Sequence, residues 1–220
     1  MARQLPLGVL ISGSGTNLQA IIDAIEEKRL DAAIRVVVSN REDAFGLTRA
    51  RRRKIPTETV DHQKFASREL YDEAVVEILR SHGVELVLLA GFMRLLSPVF
   101  VKSFPDHIMN IHPALLPSFP GLHAQRQAVE YGARVSGCTV HFVNEECDQG
   151  PIIIQAVVPV YPDDSEESLS ARILAEEHRI YPRAVQLYSE DRLRVAGRRV
   201  FVEGLERGAE RAAINPPLKG

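Results

Sequence analysis

Residues 7–12 form an uninterrupted apolar run that ends in glycines, the pattern of a strand covered on both faces. Leu18, Ile21, Ile22 and Ile25 follow at helical spacing. A valine-rich second strand is predicted over 34–39, a helix over 45–53 and a short third strand over 56–60. From Ser67 a helix is expected with Tyr71, Ala74, Val75, Ile78 and Leu79 on one face and Gly83 beyond its end. Residues 85–90 are again a buried strand. This alternation predicts an α/β protein with a Rossmann-like, mostly parallel twisted sheet flanked by helices.

The rest of the chain has a different rhythm. Residues 107–111 read as a strand, 124–131 as a helix, 137–143 as a half-buried strand and 152–160 as a long strand. Asp164 and Glu167 are spaced like a capping box for a helix reaching about Tyr188, which Pro182 should kink or end. Residues 193–202 read as a hairpin turning at Ala196-Gly197, and the proline-containing tail from Ala212 as frayed. There is no repeat or linker, so one sheet is expected to continue through both halves.

Composition narrows the classes. Of 220 residues, 45% are hydrophobic and 25% charged, and the net charge of -2 disfavours a general binder of nucleic acid or membrane surfaces. The five cations in residues 49–54 read as the solvated end of a helix. Two cysteines, Cys138 and Cys147, are too few for a disulfide framework. No run reaches membrane-spanning length and the N-terminus lacks a signal-peptide pattern, so a cytoplasmic location is expected.

Two stretches carry candidate chemistry. Ser12-Gly13-Ser14-Gly15-Thr16-Asn17 joins the first strand to the first helix, where free N–H groups and the helix dipole suit an anion. Leu18 occupies the place of a dinucleotide motif's third glycine, Ser39-Asn40 lacks a ribose-binding acid, and no Gly-Lys-Ser/Thr follows. A phosphate monoester fits this loop better than NAD or ATP. In the second stretch, Asn110 and His112 stand two apart at a strand end, on one side, and Pro113, Pro117 and Pro120 stiffen the loop beyond. Such an amide can donate to an oxyanion and such an imidazole can move a proton, although a single histidine often only satisfies a loop carbonyl. Asp148, in a turn-rich loop, would orient the ring and raise its pKa if the two meet. No spacing suggests a metal site.

The segments ISGSGTNLQAII (11–22), SNREDAFGL (39–47), AGFMRLLSP (90–98), NIHPALLPSFPGLHA (110–124), GCTVHFVNEECDQGPII (137–153) and EEHRIYP (176–182) cover nearly the whole chain. In that order they resemble the phosphoribosylglycinamide formyltransferases of the folate-dependent formyltransferase superfamily. Ala114, Cys147 and Gln149 depart from residues common there. The resemblance implies formyl transfer from 10-formyltetrahydrofolate to the amine of phosphoribosylglycinamide (GAR) in purine synthesis. It implies Asn110 as oxyanion donor, His112 as acid or electrostatic partner of the formyl oxygen, and Asp148 as the tuner of His112. Gly15, Thr16 and Asn17 would hold the phosphate and Glu177 the ribose or glycinamide end; the bland alternative for Glu177 is a solvated helix position. Arg68, Met93, Arg94, Leu95, Leu96, Asn110, Asn144, Glu145, Glu146, Cys147 and Asp148 would form the folate pocket. Residues 1–220 would be one domain, with a phosphate-binding half over 1–100 and a folate-binding, catalytic half over 101–220. The implied partners are small molecules, with no metal, nucleic acid or membrane, in a monomer or homodimer. A folate-deformylating hydrolase, a methionyl-tRNA formyltransferase and a non-catalytic phosphate-ligand sensor are the rivals.

Overall fold

The computed structural model describes residues 4–204 and Asn215; the expectation for the rest of the tail lies outside the described residues. Nine strands form one sheet: β1 (Leu5–Ile11), β2 (Ala32–Ser39), β3 (Thr57–Thr59), β4 (Leu86–Leu89), β5 (Ile108–His112), β6 (Val135–Phe142), β7 (Ile152–Pro159), β8 (Leu193–Ala196) and β9 (Arg199–Val202). Their spatial order is β3-β2-β1-β4-β5-β6-β7-β9-β8. The first five are parallel, and β6 and β7 are added antiparallel. The expected continuous, mostly parallel sheet is therefore present through both halves, with its antiparallel pairings all beyond β5 and β9 joining β7 in parallel.

Alternate side chains of the central strands feed two cores. Leu7, Val9 and Ile11 pack with helices α1 (Thr16–Glu26) and α6 (Glu166–Ser189). Leu10, Val87, Leu89 and Ile108 pack on the opposite face with α3 (Arg68–Ser81) and α4 (Pro98–Ser103). Gly8 permits that second contact, since a Cβ there would lie 2.5 Å from Leu79 Cδ2. Helix α2 (Phe45–Arg52) lies beside β2, and α5 (Ala124–Tyr131) joins β5 to β6.

Two local expectations need correction and a third is narrowed. The N-terminus of α6 is capped by Ser165 and Ser168, each side chain bonding the other's backbone N–H. Asp164 instead receives the fork of Arg172, with Nη1–Oδ2 at 2.8 Å and Nη2–Oδ1 at 2.9 Å, which holds its carboxyl well below the usual range. Helix α6 reaches Ser189, as expected. Of the two alternatives for Pro182 the ending fails, because Tyr181, Ala184 and Val185 are fully buried beyond or beside it and burial outweighs one missing backbone bond. The hairpin turns at Gly197-Arg198, one residue later than expected. The short helix α4 gives no periodic signal at its length.

Candidate active site

The carboxyl ends of β1, β4 and β5 lie side by side, where ligands bind in open α/β sheets. Asn110 and His112 continue the Ile108 face of β5 past the end of the second core. His112 is 4% exposed and Asn110 half-buried. Sheet register sets Asn110 against His141 and His112 against Thr139 of β6, so all four side chains share one face.

Asp148 reaches this face from the loop after β6, at φ 53°. Its Oδ2 stands 3.5 Å from His112 Nδ1 and accepts the Gly121 N–H at 2.8 Å. The other nitrogen, His112 Nε2, lies 2.9 Å from the Phe119 carbonyl oxygen. The ring thus faces a loop carbonyl through one nitrogen and the carboxylate through the other. With oxygen acceptors at both nitrogens, the ring is set to donate from either.

His141 was not singled out by sequence reasoning. It is 2% exposed, with Nδ1 2.8 Å from its neighbour's carbonyl at Phe142 and Nε2 3.2 Å from Asn110 Nδ2. Burial pushes its pKa down, against the Phe142 carbonyl and Asp148, which push it up. The neutral ring therefore carries its proton on Nδ1 and accepts from Asn110 through Nε2. That bond fixes one amide hydrogen of Asn110 and leaves the other free to face a ligand. Alternation in GCTVHFV places His141 on a defined face, but only strand register pairs it with Asn110.

The proline-rich loop is tied down by the neighbouring strands. Thr139 Oγ1 donates to the Ala114 carbonyl at 2.7 Å and accepts the Leu116 N–H at 3.1 Å, while Gln155 Nε2 donates to the Leu116 carbonyl at 2.9 Å.

At the end of β1, Gly15 takes a left-handed conformation, φ 69°, and caps α1 without a side-chain bond, leaving first-turn N–H groups open. Asn17, expected at the phosphate, has its side-chain amide turned to another residue. Its Nδ2 donates to Glu177 Oε2 at 2.7 Å, and its Oδ1 is buried without a partner. Glu177 is 6% exposed, so the solvated-position alternative fails. Burial raises the Glu177 pKa, and the Asn17 bond opposes that rise.

The folate residues expected from the resemblance are only partly gathered. Met93 and Leu95 are exposed apolar side chains, while Leu96 packs toward the second core. Met93 N–H donates to Ser12 Oγ at 2.8 Å, which joins this segment to the glycine loop. Arg94 lies over the Tyr71 ring at 4.8 Å, and its Nε is buried without a partner. Arg68 opens α3 with Glu69 3.8 Å away, and both lie at the surface. Asn144, Glu146 and Cys147 belong to the Asp148 loop, where Asn144 Oδ1 accepts the Glu146 N–H at 3.2 Å; Glu145 turns to Lys102 at 3.5 Å. An open cavity of about 710 Å³ borders Met93 and Arg94 and is lined also by residues 40–43, 59 and 61–64. Asn110, His112 and Asp148 do not line it, and its charges balance, Arg41, Lys64 and Arg94 against Glu42, Asp43 and Asp61. Among the described residues no group of His, Cys, Asp and Glu is arranged to hold a metal ion, and no helix is long and apolar enough to cross a membrane.

An amide, an imidazole and a carboxylate thus meet at the carboxyl end of β5, two strands from the open N-terminus of α1; comparison with known proteins gives the family. Residues 7–185 match the formyl transferase family, and the chain belongs to it. Within that family the chain is similar to the phosphoribosylglycinamide formyltransferase of Escherichia coli (strain K12), 46% identical over 196 residues that span 89% of this chain and 92% of that one. It is also 46% identical over 181 residues (82% of this chain) to the human trifunctional purine biosynthetic protein adenosine-3, of which it spans 18%. The fold is that of glycinamide ribonucleotide transformylase 1 from Symbiobacterium toebii, with TM-score 0.89 and 54% identity over 90% of this chain and 94% of that one. The phosphoribosylglycinamide formyltransferase of Coxiella burnetii gives TM-score 0.87 and 42% identity, over 92% and 95%.

Proposed function

We propose that this chain transfers the formyl group of 10-formyltetrahydrofolate to the amine of GAR, yielding formyl-GAR and tetrahydrofolate in purine biosynthesis. The observation that carries this reading is the meeting of Asn110, His112 and Asp148 at the end of β5, one strand position from the segment that bonds to the glycine loop. The amine of GAR attacks the formyl carbon, forming a C–N bond and a tetrahedral oxyanion. The free Asn110 N–H donates to that oxygen, and His112 acts on it as electrostatic partner, or as acid once Nε2 exchanges the Phe119 carbonyl for the oxyanion. Collapse breaks the bond to folate N10, which takes up a proton as the attacking amine loses one. Asp148 holds His112 in orientation and takes part in the proton movement.

In this reading Gly15, Thr16 and Asn17 seat the phosphate through backbone N–H groups, and Asn17 with Glu177 shapes the ribose or glycinamide end. Folate lies along residues 93–96 and the 144–148 loop, with Arg68 toward its outer end. Both substrates are small molecules, and no step calls for a metal, nucleic acid or membrane. The protein acts in the cytoplasm, as a monomer or homodimer. Residues 1–220 act as one domain, with the phosphate half over 1–100.

The test is folate deformylation by the purified protein with and without GAR. Turnover that requires GAR and yields its formylated product supports transfer. Turnover without GAR makes the chain a hydrolase, and no turnover under either condition favours a ligand sensor.

A further inference from the structure

The cations of residues 49–54 do not share one fate. Arg51, Arg52, Arg53 and Lys54 are exposed, whereas Arg49 is half-buried and turned toward the glycine loop. Arg49 Nε donates to the Ser14 carbonyl at 2.8 Å, and Nη1 donates to Gln19 Oε1 at 3.3 Å. One turn earlier on α2, the Gly46 N–H donates to the Gly13 carbonyl at 3.0 Å. The two backbones are in contact: a Cβ on Gly15 would lie 2.6 Å from Gly46 Cα, and 3.6 Å from Arg49 Cδ.

Helix α2 thereby holds two successive loop carbonyls. A carbonyl oxygen facing a phosphate would repel it, so tying both back to α2 leaves the open N–H groups of α1 to face the ligand. The same bonds place a guanidinium behind the loop. Among the described residues Arg49 has no carboxylate partner; its other contact is the Phe45 ring, 5.0 Å away. Across the loop, Glu177 accepts from Asn17 and leaves Arg49 unpaired.

We propose that Arg49 is a positioning and charge-supplying residue for the phosphate of the acceptor substrate, acting through the Ser14 carbonyl and through its unpaired charge. This inference rests on the proposed transfer to GAR. The experiment compares wild type, Arg49→Lys and Arg49→Gln with GAR and with its dephosphorylated riboside, measuring kcat and both KM values, with folded state checked by circular dichroism. Loss of a charge-assisted contact should raise the KM for GAR by about tenfold or more in Arg49→Gln, with the KM for folate, the KM for the riboside and kcat little changed. Arg49→Lys keeps the charge and loses the Ser14 bond, so a smaller rise, about threefold, is expected.

Equal losses for GAR and riboside would make Arg49 merely structural, and an unchanged preference for GAR would overturn the proposal. If Arg49→Gln does not fold, Arg49→Lys decides by the same comparison. Wild-type protein that formylates GAR and riboside equally well would refute the phosphate role of the loop itself. Wild-type protein that formylates neither would refute the proposed function.

Discussion

The two ends of the site are built from opposite materials. At the end of β1 the groups left open belong to the backbone, and glycines at positions 15 and 46 let that backbone come close to α2. At the end of β5 the groups brought together are side chains, and prolines and cross-strand bonds from Thr139 and Gln155 restrain the chain around them. Binding an anion needs many modest donors at fixed spacing, which backbone N–H groups supply without titrating. Moving a proton needs a group that titrates, held by neighbours that set its orientation.

Substitutions that separate binding from turnover should break this comparison if it is wrong. The largest effect is expected for His112→Ala, which should lower kcat by about a hundredfold or more while phosphate-ligand binding persists. Near-normal turnover would remove His112 from the chemistry. Gly15→Ala should act on the other end. The left-handed backbone and the 2.6 Å approach of Gly46 Cα leave no room for a methyl group, so the KM for GAR should rise by about tenfold, with kcat less affected. Equal damage to folate binding in steady-state kinetics would show that the two ends are not separable.

Thr139→Val tests the restraint around the catalytic end. It removes a donor to Ala114 and an acceptor for Leu116, both buried, and should cost about 1–3 kcal/mol in denaturant unfolding. An unchanged midpoint would mean that the loop is held by other contacts.

The smallest effect is expected for the stability of Glu177→Gln, and its sign is informative. The folded-state pKa of Glu177 is raised from 4.5, so above pH 4.5 the folded protein holds a proton that the unfolded chain has released. Its contribution to stability therefore falls as pH rises from 4.5 through the folded pKa. Glu177→Gln should abolish this slope and leave the protein as stable as wild type or more so at neutral pH, while weakening GAR binding. A less stable variant at neutral pH would show that the ionised carboxylate is better satisfied than its burial implies.

Sequence patterning alone determined the alternating half, the helix faces, the glycine loop after β1 and the shared side of Asn110 and His112. Each depends on period, local backbone conformation or i, i+2 geometry, which a short window contains. Tertiary structure decided the rest. Asp148 meets His112 because the loop after β6 folds back over the end of β5, and His141 meets Asn110 because antiparallel register pairs them. Asn17 and Glu177, 160 positions apart, meet because α1 and α6 pack on one face of the sheet. Arg49 left its expected place in a solvated run for the same reason, since which side of α2 faces the glycine loop is set by how that helix docks. Pairings of this kind are fixed by packing between distant elements, and no local pattern of polar and apolar residues encodes them.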